Sequence, residues 1–167
     1  MPKKHAILVA GGSGTRMKSA VPKQFLELAG LPILMHSINA FKAYDEEISI
    51  IVVLPKTQIE YWKQLCEQHQ FKVEHQIAEG GETRFHSSAS GLNLVNDESL
   101  IAIHDAVRPL VSKEVIERTF QAAEEKGAAI PVIPLKDSIR KMEGEKSQAL
   151  ERSKYVLVQT PQCFQSA

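Results

Sequence analysis

Short apolar runs alternate with segments of helical periodicity along most of this chain. The apolar runs predict strands at 6–9, 48–54, 71–77, 100–103 and 128–133. Helical spacing of apolar residues predicts helices after Pro32, at about 58–69, at about 83–94, and through Val115, Ile116, Phe120 and Ala123 to a C-cap at Gly127. Because a strand, a helix and a second strand in succession form a parallel βαβ unit, we expect an α/β fold with a mostly parallel sheet.

The alternation ends after Pro134. Two further strands are predicted at 138–142 and 155–158, on either side of the charged segment 143–146. This pattern indicates a hairpin or arm that projects from the sheet, and we assign the arm to 136–159. No internal repeat, low-complexity tract or linker interrupts the chain, so we expect a single domain over 1–167.

Composition limits the classes of function. The chain has 167 residues, of which 43% are hydrophobic, so it can bury a core of ordinary size. Its 20 basic and 20 acidic residues give a formal net charge of zero, which argues against a general nucleic-acid binder or a membrane-surface protein. Any anion that the protein binds must therefore be held by a local cluster of charges.

Cysteine and histidine spacing indicates neither a disulfide nor a zinc site. Cys66 and Cys163 lie far apart and form no CxxC motif, and the six histidines show no HxxxH spacing. Lys3 and Lys4 lead directly into a short strand rather than into the long apolar run of a secretion signal. No window approaches the roughly 20 apolar residues of a membrane-spanning helix. We therefore predict a reduced, cytoplasmic protein.

A glycine-rich segment follows the first predicted strand. Glycine allows backbone N–H groups to approach a phosphate closely. The dinucleotide-binding pattern fails because Met17 stands where it requires glycine, and the Gly-Lys-Ser/Thr of a Walker A motif is absent. By itself the segment is equally consistent with a tight strand-to-helix turn. Arg16 and Lys23 follow it, and these two cations favour a triphosphate clamp over a pair of solvated surface charges.

Motifs along nearly the whole chain resemble one enzyme family. The segment 11–17, Gly-Gly-Ser-Gly-Thr-Arg-Met, followed by Pro-Lys-Gln at 22–24, resembles the signature of sugar-phosphate nucleotidyltransferases. The order and spacing of the later motifs are similar to those of the 2-C-methyl-D-erythritol 4-phosphate cytidylyltransferase family. These motifs are Gly80-Gly81-Glu82-Thr83-Arg84 with Ser87, His104-Asp105-Ala106-Val107-Arg108-Pro109, Asp137-Ser138, Glu151-Arg152-Ser153 and Gln159-Thr160-Pro161-Gln162.

The resemblance implies a Rossmann-like, three-layer nucleotidyltransferase fold and a CTP-dependent activity. CMP is transferred to 2-C-methyl-D-erythritol 4-phosphate with release of pyrophosphate, in the non-mevalonate isoprenoid pathway and with Mg²⁺. The close alternative is ribitol-5-phosphate cytidylyltransferase, against which Arg84, Ser87 and the segment 151–153 favour methylerythritol phosphate. A second alternative is an inactive nucleotide-binding fragment, because the family continues beyond Thr-Pro-Gln-x-Phe whereas this chain stops at Ala167. We therefore expect a C-terminally truncated domain.

The resemblance also implies roles for individual residues. Arg16 and Lys23 are the predicted catalytic cations, and Asp105 is the predicted Mg²⁺ ligand. In the family the arm reaches the neighbouring subunit's site, so a homodimer is implied. The predicted nucleotide-binding residues are Ala10, Gly11, Gly12, Ser13, Gly14, Gly80, Glu82 and Ser87, and the predicted substrate-binding residues are Asp105, Arg108, Ser138, Arg152 and Thr160.

Several of these residues also have ordinary structural interpretations. Glu82 stands where the family commonly has Asp, and Ser138 where it often has Thr. Arg108 either binds substrate phosphate or pairs with Asp105, Ser87 is otherwise a helix hydroxyl, and Thr160 otherwise belongs to a turn at Pro161. Attack by an ionised phosphate needs no general base, so we interpret His104 as a hydrogen-bonded structural imidazole.

Overall fold

The computed structural model describes residues 2–11 and 21–166. Its central sheet has six strands, in the spatial order β5 (Gln76–Glu79), β4 (Ser49–Leu54), β1 (Lys3–Val9), β6 (Ser99–Asp105), β12 (Gln162–Gln165) and β7 (Ala128–Ala129). Strands β1, β4, β5 and β6 are parallel, β12 is antiparallel to β6, and β7 is antiparallel to β12. The predicted mostly parallel sheet is confirmed.

Helices cover both faces of this sheet. Their bounds are α1 Ile33–Tyr44, α2 Lys56–Gln68, α3 Arg84–Leu92 and α4 Lys113–Lys126. On β1, Ala6 and Leu8 belong to the buried cluster that also contains residues of α1, α2 and α4. Ile7 and Val9 belong to the other cluster, on the side of α3. Because successive side chains of a strand point to opposite faces, β1 is buried on both sides and the fold has three layers.

Local capping determines where α3 and α4 begin and end. Thr83 Oγ1 accepts a hydrogen bond from His86 N at the start of α3, and Ser112 Oγ accepts one from Val115 N at the start of α4. Gly127 ends α4 with φ 87°, which confirms the predicted C-cap. Within residues 2–11 and 21–166, no helix combines the length and apolar content needed to cross a bilayer.

Two predicted strands are shorter than expected. In place of the predicted 71–77 strand, β5 spans Gln76–Glu79 and pairs with β4, so only Gln76 and Ile77 of the predicted range are paired. The preceding residues close the end of α2, because Phe71 N donates to Cys66 O and the Phe71 ring packs against Trp62. The predicted strand 128–133 is two strands, β7 and β8 (Val132–Pro134), in different sheets. Pro131 lies between them and has no N–H with which to continue the ladder.

The predicted pairing of the arm strands is wrong. Strand β9 (Ile139–Glu143) pairs with β10 (Lys146–Leu150) in a hairpin whose turn contains Gly144 at φ 61°. Strand β11 (Val156–Val158) pairs instead with β8. The sequence of β10 is polar, so its pattern did not predict a strand. Because a two-residue turn joins β9 to β10, β9 pairs with this neighbour rather than with β11. A further pair, β2 (Glu27–Leu28) and β3 (Leu31–Pro32), precedes α1.

Candidate active site

A cleft of about 450 Å³ opens where the central parallel strands end. Val9 of β1 lies in register with Asp105 of β6, so the residues that follow these strands are neighbours. This edge is the usual ligand side of an open α/β sheet. The wall contains Val9, Ala10, Gly11, Lys23, Gln24, Gly81, Glu82, Thr83, Arg84, Ser87, Asp105 and Val107. Six of the predicted site residues thus come together: Ala10, Gly11, Lys23, Glu82, Ser87 and Asp105.

Other predicted residues lie elsewhere. Gly12, Ser13, Gly14 and Arg16 lie outside the described residues. Ser138 is exposed immediately before β9, and Arg152 begins an exposed 3-10 helix, Arg152–Lys154, from which its guanidinium donates to Lys136 O. Neither side chain lines the cleft of its own chain. Their predicted role in a neighbouring subunit stays a prediction.

Lys23 is held by the residue that follows it. It begins a 3-10 helix, Lys23–Phe25, and its side chain is exposed at the cleft. Gln24 is only 1% exposed, and its Nε2 donates to Ala10 O at 2.9 Å and to Gln58 Oε1 at 2.7 Å. Because a carbonyl only accepts, the amide orientation of Gln24 is unambiguous. These bonds tie the Lys23 segment to the end of β1 and to α2, a function that the sequence analysis did not assign to Gln24.

Three glycines allow separate segments to meet at Ser87. Ser87 is buried, and its Oγ accepts from Gly81 N at 3.2 Å and donates to Gly81 O at 3.3 Å. A Cβ on Gly11 or Gly80 would lie 3.2 Å or 3.1 Å from that Oγ, and one on Gly81 would lie 2.4 Å from His86 Cβ. Glycine at these three positions therefore leaves the backbone of this wall uncovered by side chains. Such a surface presents N–H groups to a ligand beside the N-terminal turn of α3.

Asp105 joins two arginines at the cleft. Arg84 Nε donates to its Oδ1 at 3.2 Å, and Arg108 Nε donates to its Oδ2 at 2.9 Å. Arg108 Nη1 also donates to Gln159 Oε1 at 2.8 Å. Both arginine side chains remain about half exposed, at 48% and 46%. Lys23 and Arg84 line the cleft, and Arg108 lies beside it on Asp105, an arrangement that suits a polyanionic ligand.

Arg84 was predicted to favour methylerythritol phosphate over ribitol phosphate but was not among the predicted site residues. Its position at the start of α3, after the two glycines, was the available signal. The ion pair between Arg108 and Asp105 is present, as one of the two interpretations of Arg108 expected. Pairing with Asp105 leaves part of each guanidinium facing solvent, so pairing and anion binding are compatible for both arginines.

A buried imidazole lies behind this ion pair. His104 is fully buried, with Nε2 3.0 Å from Arg108 O and Nδ1 2.9 Å from Thr160 Oγ1. Burial lowers the pKa of His104 to about 4, so the ring is neutral at physiological pH. The Thr160 hydroxyl also accepts from Asp105 N at 3.3 Å. The interpretation of His104 as a hydrogen-bonded structural imidazole agrees with this arrangement.

The carboxylates of the cleft determine which metal the site suits. No group of three or more His, Cys, Asp or Glu side chains among residues 2–11 and 21–166 is placed to hold a metal ion. Asp105 and Glu82 do line the cleft, and both supply hard oxygen atoms. Mg²⁺ commonly takes one or two protein carboxylates and completes its shell with water and substrate phosphates. This donor set fits a Mg²⁺ that arrives with a nucleotide, and does not resemble a preformed protein cage.

Comparisons with known proteins agree with this geometry. A sequence profile described as 2-C-methyl-D-erythritol 4-phosphate cytidylyltransferase matches residues 4–167. A curated relative of that name from Bacteroides thetaiotaomicron is 50% identical over 163 residues, which are 98% of this chain and 74% of the relative. The predicted resemblance is confirmed.

Solved structures lead to the same family. The crystal structure of 4-diphosphocytidyl-2C-methyl-D-erythritol synthase from Anaerococcus prevotii has a TM-score of 0.80 and 27% identity, and covers 98% of this chain and 70% of that one. The crystal structure of 2-C-methyl-D-erythritol 4-phosphate cytidylyltransferase from Thermus thermophilus has a TM-score of 0.74 and 31% identity, with the same coverage of 98% and 70%. Sequence, fold and cleft together establish that this chain belongs to the 2-C-methyl-D-erythritol 4-phosphate cytidylyltransferase family.

Proposed function

We propose that this protein transfers CMP from CTP to 2-C-methyl-D-erythritol 4-phosphate, forming 4-diphosphocytidyl-2-C-methyl-D-erythritol and pyrophosphate, in the non-mevalonate isoprenoid pathway. Family membership over residues 4–167 supports the reaction. The observation that carries it in the structure is the cleft at the ends of β1 and β6, where Lys23 and Arg84 line the wall and Arg84 and Arg108 pair with the Asp105 carboxylate. A cleft with this charge pattern suits two phosphorylated substrates that must approach each other.

The chemistry is an in-line displacement at the α-phosphorus of CTP. An oxygen of the polyol phosphate attacks, a new P–O bond forms, and the bond to the β-phosphate breaks as pyrophosphate leaves. The nucleophile is already ionised, so no side chain has to remove a proton. The main barrier is repulsion between anions, together with the charge that develops at the reacting phosphoryl group.

Lys23 is the described cation best placed to offset that charge. No ion-pair partner occupies its ammonium group within the described part of the chain, and Gln24 holds its segment against β1. We assign Arg16 the same task on the family resemblance, although it lies outside the described residues. A cation that is positioned before the reaction stabilises the transition state without reorganising during it.

The polyol phosphate is assigned to the side of the cleft that carries Asp105. Arg108 and Arg84 are anchored on opposite oxygens of its carboxylate, so each guanidinium is oriented before substrate arrives. A guanidinium can then bind phosphate through two parallel hydrogen bonds. Asp105 would hold Mg²⁺. When bound, the ion would neutralise phosphate charge and favour departure of pyrophosphate.

The nucleotide is assigned to the side of the cleft formed by Gly11, Gly80, Gly81 and Ser87. Its bare backbone and the start of α3 can donate hydrogen bonds to a base and to phosphates. Glu82 at this wall offers a carboxylate that can accept from an exocyclic amine, which CTP has and UTP lacks. We therefore expect a preference for CTP over UTP.

The proposal includes a homodimer in which the arm of one subunit completes the other subunit's site. The ribbon formed by β8 and β11 supports it, because Ile133 and Leu157 are 45% and 50% exposed within a single chain. A two-stranded ribbon without a covered face is marginally stable in water. We assign Ser138 and Arg152 to contacts with the neighbour's polyol phosphate.

We also propose a reducing, cytoplasmic setting. Cys66 and Cys163 are free thiols, and burial raises their pKa values to about 11 and about 12. Thiols that stay protonated react slowly, so both can remain free.

Release of pyrophosphate tests the reaction directly. The protein is incubated with Mg²⁺, one nucleotide (CTP, UTP or ATP) and either 2-C-methyl-D-erythritol 4-phosphate or ribitol 5-phosphate. We expect turnover with CTP and methylerythritol phosphate. Faster turnover with ribitol phosphate would favour ribitol-5-phosphate cytidylyltransferase, comparable turnover with all nucleotides would reject the CTP preference, and no turnover in any combination would favour a nucleotide-binding fragment.

A further inference from the structure

The buried pair His104–Thr160 has no part in the proposed chemistry, yet it contacts the residues that do. Four hydrogen bonds link them. They are His104 Nε2 to Arg108 O at 3.0 Å, Thr160 Oγ1 to His104 Nδ1 at 2.9 Å, Asp105 N to Thr160 Oγ1 at 3.3 Å, and Arg108 N to Asp105 O at 3.0 Å. The two buried side chains are therefore bonded to each other and to the backbone of Asp105 and Arg108.

The direction of each bond follows from the chemistry of its atoms. A carbonyl only accepts, so His104 Nε2 carries the hydrogen and donates to Arg108 O. The backbone N–H of Asp105 donates to Thr160 Oγ1, which leaves the hydroxyl hydrogen free for His104 Nδ1. The ring thus uses both nitrogens, one as donor and one as acceptor. Phe41 packs against the ring in an edge-to-face arrangement with a centroid distance of 5.2 Å, which favours this orientation of the imidazole.

These bonds determine the shape of the turn that carries the ion pair. Arg108 N donates to Asp105 O, and the two side chains pair through Nε and Oδ2 at 2.9 Å. On the outside of the turn Arg108 reaches Gln159, which precedes Thr160. The imidazole therefore holds the turn 105–108 from its buried side, and on its other side Asp105 of this turn lines the cleft.

We propose that His104 is a positioning residue for the polyol phosphate, acting through Arg108 O and Thr160 Oγ1 to orient the Asp105–Arg108 pair toward the cleft. This inference rests on the proposed function. It requires that loss of His104 raise KM for the polyol phosphate and leave KM for CTP nearly unchanged, because Gly11, Gly80 and Ser87 are held by contacts that do not involve the imidazole.

Two substitutions separate the two bonds of the ring. His104→Asn retains an acceptor near the Nδ1 position and loses the donor to Arg108, whereas His104→Gln retains a donor near the Nε2 position and loses the acceptor for Thr160. We expect His104→Asn to raise KM for the polyol phosphate about tenfold, the effect of one hydrogen bond, and His104→Gln to raise it less. His75→Gln is the matched control, since His75 bonds to Trp62 and Val73, away from the cleft.

A double-mutant cycle with Arg108→Ala tests the proposed route of action. If His104 acts through Arg108, His104→Asn has little further effect on KM once the guanidinium is absent. An equal increase in both backgrounds, or an equal increase in KM for CTP, would overturn the inference. If the His104 variants do not fold, the same double-mutant cycle is run with Thr160→Val, which removes the hydroxyl. Thr160→Ser, which retains the hydroxyl, is its control. An inactive wild-type protein would instead refute the proposed function, so the two failures are distinguishable.

Discussion

The central strand β1 and the ribbon of β8 and β11 are both rich in branched apolar residues, but they are buried very differently. The last five residues of β1 are buried, whereas every residue of β8 and β11 is exposed. Helices cover both faces of β1, whereas within residues 2–11 and 21–166 no layer buries the ribbon. Apolar sequence alone therefore does not identify the core. It identifies surface that must be covered, in one case by the same chain and in the other, we propose, by a second copy.

The two regions also hold their charged groups differently. Arg84 and Arg108 at the sheet edge are anchored on one carboxylate, while the guanidinium of Arg152 donates to a backbone carbonyl, Lys136 O. A side chain anchored in this way is oriented before substrate binds, and a loosely held one acquires its orientation from a ligand or partner. The comparison predicts that changes at the sheet edge act within a subunit and that changes in the arm act between subunits.

Matched leucine truncations give the largest expected difference. Leu8 is fully buried, and Leu157 is 50% exposed. Leu8→Ala is expected to lower the free energy of unfolding by about 3 kcal/mol at every protein concentration, because it leaves a cavity. Leu157→Ala is expected to be destabilising only where the dimer is populated, since dimerisation makes stability depend on concentration.

Urea unfolding over a range of protein concentrations measures both. On dilution, the curve of Leu157→Ala should approach that of the wild-type protein, and the curve of Leu8→Ala should not. A loss for Leu157→Ala that is independent of concentration would show that the ribbon is not an interface.

Removal of Lys23 is the next largest effect. Lys23→Ala is expected to lower kcat by a factor of about 100 or more, the usual consequence of losing one positioned contact to the transition state. Arg16→Ala is expected to behave in the same way. Steady-state kinetics with CTP and methylerythritol phosphate measures the change, and Lys63→Ala, an exposed lysine paired with Glu60 on α2, is the control. A change in KM alone would assign Lys23 to ground-state binding.

A smaller effect is expected from the residue that holds Lys23. Gln24→Glu retains the size of the side chain but replaces the donor to Ala10 O with an acceptor. We expect kcat to fall about tenfold through displacement of Lys23, with a smaller change for Gln24→Met. In a Lys23→Ala background Gln24→Glu should have little additional effect on kcat. If Gln24→Glu lowers kcat by the same factor in both backgrounds, Gln24 does not act through Lys23.

The parts of the fold that could be predicted are those whose signal is local. Strands β1, β4 and β6 are buried on both faces and therefore appear as continuous apolar runs, and Gly127 marks the end of α4. Strand β10 has a polar sequence, and β12 is short, so neither was predicted. The partners of β9 and β11 depend on turn geometry and distant contacts, which periodicity does not encode.

The site shows the same division. Residues at the ends of β1 and β6 could be placed together because parallel strands end at one edge of a sheet. The supporting bonds of Gln24 and the anchoring of Arg84 on Asp105 join positions far apart in the sequence, and no spacing rule predicts them. The cross-subunit role of Ser138 and Arg152 came from the family resemblance alone and stays a prediction.

Mixing two inactive variants tests most directly whether the sheet edge and the arm act in different subunits. Lys23→Ala and Arg152→Ala are each purified, shown to be folded and dimeric, and combined in equal amounts under conditions that exchange subunits. Half of the dimers are then mixed, and each mixed dimer has one site with both residues intact, so about a quarter of wild-type activity should return. If exchange is complete and no activity returns, Arg152 acts on the cleft of its own subunit, and the shared site is contradicted.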